Sequence, residues 1–288
     1  MYVWFWSIHI LCVVILSYIK ILPICDYSSC ANILVFVVIF FIYKKNKVKI
    51  LNIKIVFAYD GSKFFGSQKQ KNKKAVANEF IRVLKKLNIS STFILSGRTD
   101  KGVHATRQVA NIKLPAFWSD LNSLFVSMCR MLPPYIDIKT IKKVDDTFHS
   151  RYHATKRVYR YIVKKTKPNV FENAYTHFEP NLDTKAVSKA IKQFEGVFDF
   201  GYFCKKPTNK TTREIYEAKF YKYKDYYIFK FVGRSFLRGQ VRSMVQFLFD
   251  ISSQKRNINE LKASLNKTIK LPLKVCPPNG LYLMKVIY

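Results

Sequence analysis

Residues 96–105 read SGRTDKGVHA, with an arginine, a threonine and an acid side by side between two glycines. Asp100 has Arg98 and Lys101 close to it along the chain. A carboxylate beside cations stays ionised and acceptor-only at neutral pH, which suits a nucleophile or a structural ion pair. Gly97 and Gly102 permit tight turning and the close approach of a second chain or a ligand. Taken alone, a glycine-flanked Thr-Asp pair also reads as an ordinary turn or helix cap. The six cysteines (Cys12, Cys25, Cys30, Cys129, Cys204, Cys276) contain no CxxC pair, and no histidine is placed to complete a zinc site. Reduced thiols are therefore expected, and no metal.

Several regular elements must position this stretch. Ile53, Ile55, Phe57 and Tyr59 alternate with Asn52, Lys54, Val56 and Ala58, which predicts a strand with one face turned inward. AVANEFIRVLKKLNI places Val76, Phe80, Val83, Leu84 and Leu87 on one helical face. STFIL is a short strand that ends at the motif, and QVANIKL leaves it as another. In the second half RVYRYIVKK is a strand, and NLDTKAVSKAIKQFEG is a helix capped by Asp183 or Thr184, with Val187, Ala190, Ile191 and Phe194 facing a core. REIYEAKFYKYKDYYIFKFVG reads as a hairpin turning near Lys224 and Asp225, followed by a helix over SFLRGQVRSMVQFLFDIS. This order predicts an α+β fold of two similar mixed-sheet-plus-helix halves, 51–155 and 156–288, flanking a basic cleft.

The chain has 288 residues, 49% of them hydrophobic, enough to fill a sizeable core without disulfides. Fifty Lys and Arg against 18 Asp and Glu give a formal net charge of +32, far beyond what solubility requires. A polyanion is the expected partner, nucleic acid first and an anionic membrane surface second, although an AT-rich coding bias accounts for part of the lysine excess. Residues 1–50 differ from the rest: MYVWFWSIHILCVVILSYI and NILVFVVIFFIY are apolar, and the basic run KKNKVK closes the segment. It reads either as a membrane anchor, with Lys44, Lys45, Lys47 and Lys49 on the cytoplasmic side, or as sequence upstream of the true start of translation near Leu51. Only the first reading brings in a membrane.

SGRTDKGVHA resembles the GRTDxGVHA signature of the TruA family of tRNA pseudouridine synthases. YDGSKFFGSQKQ precedes it by about forty residues and is similar to the family's YDGxxYxGWQ. DDTFHSRYHATKRVYRYIV, TTREI, FLRGQVRSMV and PPNGLYL follow in the family's order, so the resemblance covers Ile53 to Val286. It implies the pseudouridine synthase fold and a cofactor-free isomerase that acts on uridine in the anticodon arm of tRNA, at positions 38 to 40. Asp100 is then the catalytic acid, attacking the ribose C1′ or otherwise assisting in detaching the base. Arg242 matches the arginine that pairs with it, and Tyr159 the tyrosine that packs on the target base. Arg98 would hold the base out of its stack or pair with Asp100, while Leu281 and Leu283 would form an apolar wall beneath the uracil or part of the core. His104 is implied to hold structure rather than to carry a proton.

The same resemblance implies a homodimer in the cytoplasm, each tRNA being gripped by both subunits. Lys63, Arg107, Arg151, Lys156, Arg157, Arg160 and Arg238 are candidates for phosphate contact. The chain departs from the family pattern at Ser67, where GWQ has tryptophan, at Gly239 and Gln240 before Val241, and in MCRMLPPYIDI, which lacks an asparagine often found there. These departures bear on substrate range rather than on the acid. The alternatives to an isomerase are a catalytically silent tRNA-binding protein and a membrane-anchored RNA-binding protein.

Overall fold

The computed structural model describes residues 50–205, 210–272 and 274–288; the leader read above as residues 1–50 thus lies, up to Lys49, outside the described residues. Period-two burial makes β1 (Leu51–Tyr59), whose Ile53, Ile55, Phe57 and Tyr59 are all buried. Period-3.6 burial makes α1 (Val76–Lys86), whose Val76, Phe80, Val83 and Leu84 point inward together with Leu87 just past its end. Phe80 meets Phe57 of β1 at a ring separation of 4.7 Å and stacks on Phe93 at 4.5 Å. Burying such a ring contributes about 1.5–3 kcal/mol, which fixes this helix on that face of the sheet.

The remaining elements are β2 (Ile94–Leu95), β3 (His104–Leu114), α2 (Leu121–Met131), β4 (Ile136–Lys143), β5 (Lys156–Lys164) and β6 (His177–Phe178). They are followed by α3 (Thr184–Ile191), β7 (Gly196–Asp199), β8 (Thr212–Tyr223), β9 (Tyr226–Gly233), α4 (Gln240–Ser252), α5 (Ile258–Leu265) and β10 (Leu281–Ile287). The strands form one mixed sheet in the order β4-β1-β3-β10-β5-β9-β8-β7, with β2 on β3 and β6 on β5. The order β4-β1-β3 is followed by β10-β5-β9, and in each trio the central strand comes first along the chain, then one neighbour, then the other. Parallel pairing of β3 with β10 joins the two trios into a continuous sheet.

Three expectations shift in detail. The strand over STFIL shrinks to Ile94–Leu95, because only these residues find partners, Asn111 and Ala110 of β3. The last long helix starts at Gln240 rather than at Ser235: Gly239 has φ +76°, a left-handed conformation that breaks the helix pattern and serves as its N-cap. Of the two candidate caps, Asp183 caps α3, its carboxylate accepting from the amides of Lys185 and Ala186. Among the described residues no helix is long and apolar enough to cross a membrane.

Register places the buried side chains of the central strands on one face. Phe57 pairs with Gln108, Ala105 with Leu283, Leu283 with Tyr159 and Tyr159 with Phe231. The helices α1 and α4 both cover this face, the latter through Phe249, which lies against Tyr161 and Phe229.

Candidate active site

Asp100 follows β2 in a loop anchored one residue earlier. The Thr99 hydroxyl hydrogen-bonds Tyr59 Oη at 2.8 Å, its amide donates to Ser67 Oγ at 2.9 Å, and its carbonyl accepts from the Ser67 amide at 3.2 Å. Thr99, Tyr59 and Ser67 are all buried, so these bonds are shielded from water. Gly66 makes the approach possible: at φ +103° a Cβ would stand 2.9 Å from the Thr99 carbonyl oxygen. The amide of Val103 then closes the turn onto the Asp100 carbonyl at 3.2 Å. Gly102, at φ +79°, faces Pro278 so closely that a Cβ would lie 2.8 Å from its ring.

The Asp100 carboxylate, 22% exposed, meets two arginines from the start of α4. Arg242 Nη1 donates to Oδ2 at 3.5 Å, and Arg238 Nε lies 3.7 Å from Oδ1. The two differ in kind. Arg242 is held from behind, its Nε donating to the Cys276 carbonyl at 2.7 Å and its side chain 10% exposed, whereas Arg238 is 65% exposed. The first turn of α4 adds the positive end of a helix dipole to both cations. The result is a carboxylate in contact with two cations yet still reachable from solvent.

Tyr159 is the third member. It projects from β5 on the same face, packs edge-on against Phe236 at 5.0 Å, and stands across the ladder from Leu283. Burial pushes its phenol up to about 12, with the Arg157 cation pulling it down and the Asp100 charge pushing it up. It therefore stays protonated at neutral pH. The ring is buried, and its hydroxyl makes no hydrogen bond among the described residues.

Arg157 ties these parts together. Its guanidinium donates to the carbonyls of Arg234 at 2.5 Å, Ser96 at 2.8 Å and Arg151 at 2.9 Å. One buried cation thus joins the Asp100 loop, the turn before β5 and the link from β9 to α4. Three of its donors go to protein oxygens and its side chain is buried, which gives it a structural role. Arg160 lies on the opposite face of the sheet from Tyr159, because successive strand residues point to opposite faces. Lys63, Arg107, Arg151, Lys156 and Arg238 are exposed.

His104 is buried and holds one tautomer. Nδ1 accepts from the Gly61 amide at 3.0 Å, so the proton sits on Nε2, 3.1 Å from the Ala174 carbonyl. Asp60 Oδ1, 3.3 Å from Nδ1, has no proton between it and the ring. Burial pushes the imidazole below its usual value, against the pull of Asp60 and of backbone carbonyls. Tyr282 stacks on the ring at 4.7 Å. Every polar atom of His104 is used in structure.

Of the residues singled out in the sequence, the structure brings Asp100, Arg242 and Tyr159 together. Leu283 is fully buried beside Tyr159, and Leu281 lies across from Tyr161. Arg98 points to solvent and pairs with nothing among the described residues, Asp100 included. Sequence reasoning missed three supports: Ser67 and Tyr59 behind Thr99, Arg238 as second partner of the acid, and the Arg157 clamp. All four residues lie within the quoted motifs, but the sequence did not show these roles.

A single mixed sheet covered by helices on one face, with an arginine-held carboxylate and a buried tyrosine on that face, fits the architecture of a pseudouridine synthase. The family model described as tRNA pseudouridine synthase matches residues 190–288. The protein named tRNA pseudouridine synthase A from Campylobacter jejuni is 38% identical over 240 residues, covering 83% of this chain and 100% of the relative. Proteins of the same name from Helicobacter pylori and Wolinella succinogenes are 36% and 34% identical, covering 82% and 80% of this chain and 98% and 92% of the relatives. The chain belongs to the tRNA pseudouridine synthase A (TruA) family.

Proposed function

We propose that this chain isomerises uridine to pseudouridine in the anticodon arm of tRNA, at positions 38 to 40, with Asp100 as nucleophile. The observation that carries the reading is the Asp100 carboxylate, paired with Arg242 and Arg238 and 22% exposed, on the sheet face that also carries Tyr159. In the reaction a carboxylate oxygen attacks the ribose C1′, and the glycosidic bond breaks with its electron pair leaving on uracil N1. The base turns, C5 bonds to C1′ and displaces the carboxylate, and C5 loses its proton while N1 gains one. No redox partner is needed. Arg242 pairs with and orients the acid, and Tyr159 packs on the base. A nucleotide must leave its stack to reach Asp100, and the exposed, unpaired Arg98 is placed to occupy the vacated space. Leu283 backs Tyr159 and, with Leu281, completes the apolar floor.

Halves 51–155 and 156–288 contribute the acid and the arginines respectively, which supports a cleft between them as the RNA channel. The family resemblance supports a cytoplasmic enzyme and a homodimer gripping each tRNA with both subunits. The test is tritium release from a tRNA transcript carrying C5-tritiated uridine. Wild-type protein is expected to release tritium, and Asp100→Asn to bind the transcript nearly as well while releasing none. Normal release by Asp100→Asn removes the acid from its role.

A further inference from the structure

The segment from Gly61 to Asn78 carries Lys63, Lys69, Lys71, Lys73 and Lys74 and no Asp or Glu. In its middle stands Phe65, 44% exposed. Single exposed apolar residues are common and usually mean nothing. This one differs in three respects.

Its backbone is fixed on both sides. The Phe65 amide donates to the Lys74 carbonyl at 2.8 Å, and its own carbonyl accepts from Gln70 Nε2 at 2.6 Å. Asn78 stitches the loop from within, its Nδ2 donating to the carbonyls of Gln70 and Lys73. Phe65 also stands between two residues that touch the catalytic turn. The Phe64 carbonyl accepts from the Gly102 amide at 3.4 Å, and Gly66 abuts Thr99, Asp100 and Lys101. Finally, its ring carries cations: Lys101 Nζ lies 4.5 Å and Lys73 Nζ 5.8 Å from its centroid. Phe171 is more exposed, at 83%, but no cation lies over its ring among the described residues. A rigidly presented aromatic face with ammonium groups at it matches a nucleotide, whose base stacks and whose phosphate takes the charge.

We propose that Phe65, with Lys73 and Lys101 beside it, is a stacking platform for an unpaired nucleotide that flanks the target uridine. The inference rests on the reading of Asp100 given above, since that reading places an extruded nucleotide at the neighbouring turn. Phe65 would add binding without touching the reacting atoms, and so would act on KM rather than on kcat.

The experiment uses the full chain and the C5-tritiated tRNA transcript, with Phe65→Ala, Phe65→Leu and Phe65→Trp made in the wild type and in the inactive Asp100→Asn background. Base stacking of the usual strength predicts that Phe65→Ala raises KM about tenfold with kcat within about twofold, and weakens binding in the Asp100→Asn background by the same factor. Phe65→Trp should restore both and Phe65→Leu neither, because leucine keeps the apolar bulk and loses the π face. Unchanged binding in Phe65→Ala, or full rescue by leucine, overturns the platform while the isomerase reading stands. If wild-type protein binds tRNA but releases no tritium, the isomerase reading falls, and the Asp100→Asn binding series still decides the platform.

Discussion

Asp100 is paired with two arginines that contribute unequally. Arg242 is nearly buried and oriented by the Cys276 carbonyl, so its ordering cost is already met within the fold, whereas Arg238 is well solvated and screened. Charge-assisted hydrogen bonds of the first kind are worth about 1.5–3 kcal/mol, or about 10- to 150-fold in rate if lost from the reacting state. Arg242→Ala should therefore lower kcat by about that range, and Arg238→Ala by no more than about fivefold, in single-turnover tritium release. Equal effects would show that the outer arginine shares the work. His104 supplies a second test at this scale. Its folded-state pKa is depressed by burial, while its unfolded value is about 6.5. Below pH 6.5 the unfolded chain binds a proton that the folded chain resists, so the stability His104 contributes is present above that pH and is lost as pH falls. The Tm advantage of wild type over His104→Asn should accordingly narrow between pH 7.5 and 5.5. A gap independent of pH would mean that the imidazole is protonated in place.

At the scale of elements, the site exists because three connections converge on Arg157. Lysine cannot span three carbonyls from one compact ammonium, and each carbonyl left unpaired costs about 1–3 kcal/mol. Arg157→Lys should lower the urea midpoint and kcat together, yet leave KM for tRNA and its salt dependence close to wild type. A large KM effect would return Arg157 to the phosphate-binding group. The strand over residues 51–59, the helix after Ala75, the hairpin turning at Lys224–Asp225 and the Asp183 cap were legible because each follows a local rule: alternation, helical spacing, turn chemistry or capping. The start of α4 was not, since Phe236 and Leu237 continue an apolar pattern that only the left-handed backbone at Gly239 interrupts. The triad of Asp100, Arg242 and Tyr159 came from motif resemblance, because no local rule links residues 142 positions apart. The Arg157 clamp was invisible for the same reason, its acceptors being backbone oxygens that carry no residue signature. Arg98 shows the converse: adjacency in sequence suggested a pair with Asp100, but the turn sends the two side chains apart.

For the whole molecule, a formal charge of +32 does not by itself say where RNA lies. At 0.1 M salt a charge acts over about 10 Å, so only cations near the bound backbone displace counterions. Lys219 and Lys230 illustrate charge with another use: they pair across β8 and β9 and share Glu217, at 2.8 and 3.0 Å. Lys101 stands beside the catalytic turn with no carboxylate partner among the described residues. Engagement of six or more phosphates predicts that tRNA affinity falls about a thousandfold between 50 and 200 mM salt. Lys101→Gln should then reduce the slope of log K against log salt by about one phosphate equivalent, while Lys219→Gln leaves it unchanged. Filter binding of the Asp100→Asn protein at five salt concentrations measures both slopes without turnover. Equal slope changes for the two lysines would mean that the charge acts as a diffuse field over the whole surface; a change confined to Lys101 would fix the RNA path on the face that carries the acid.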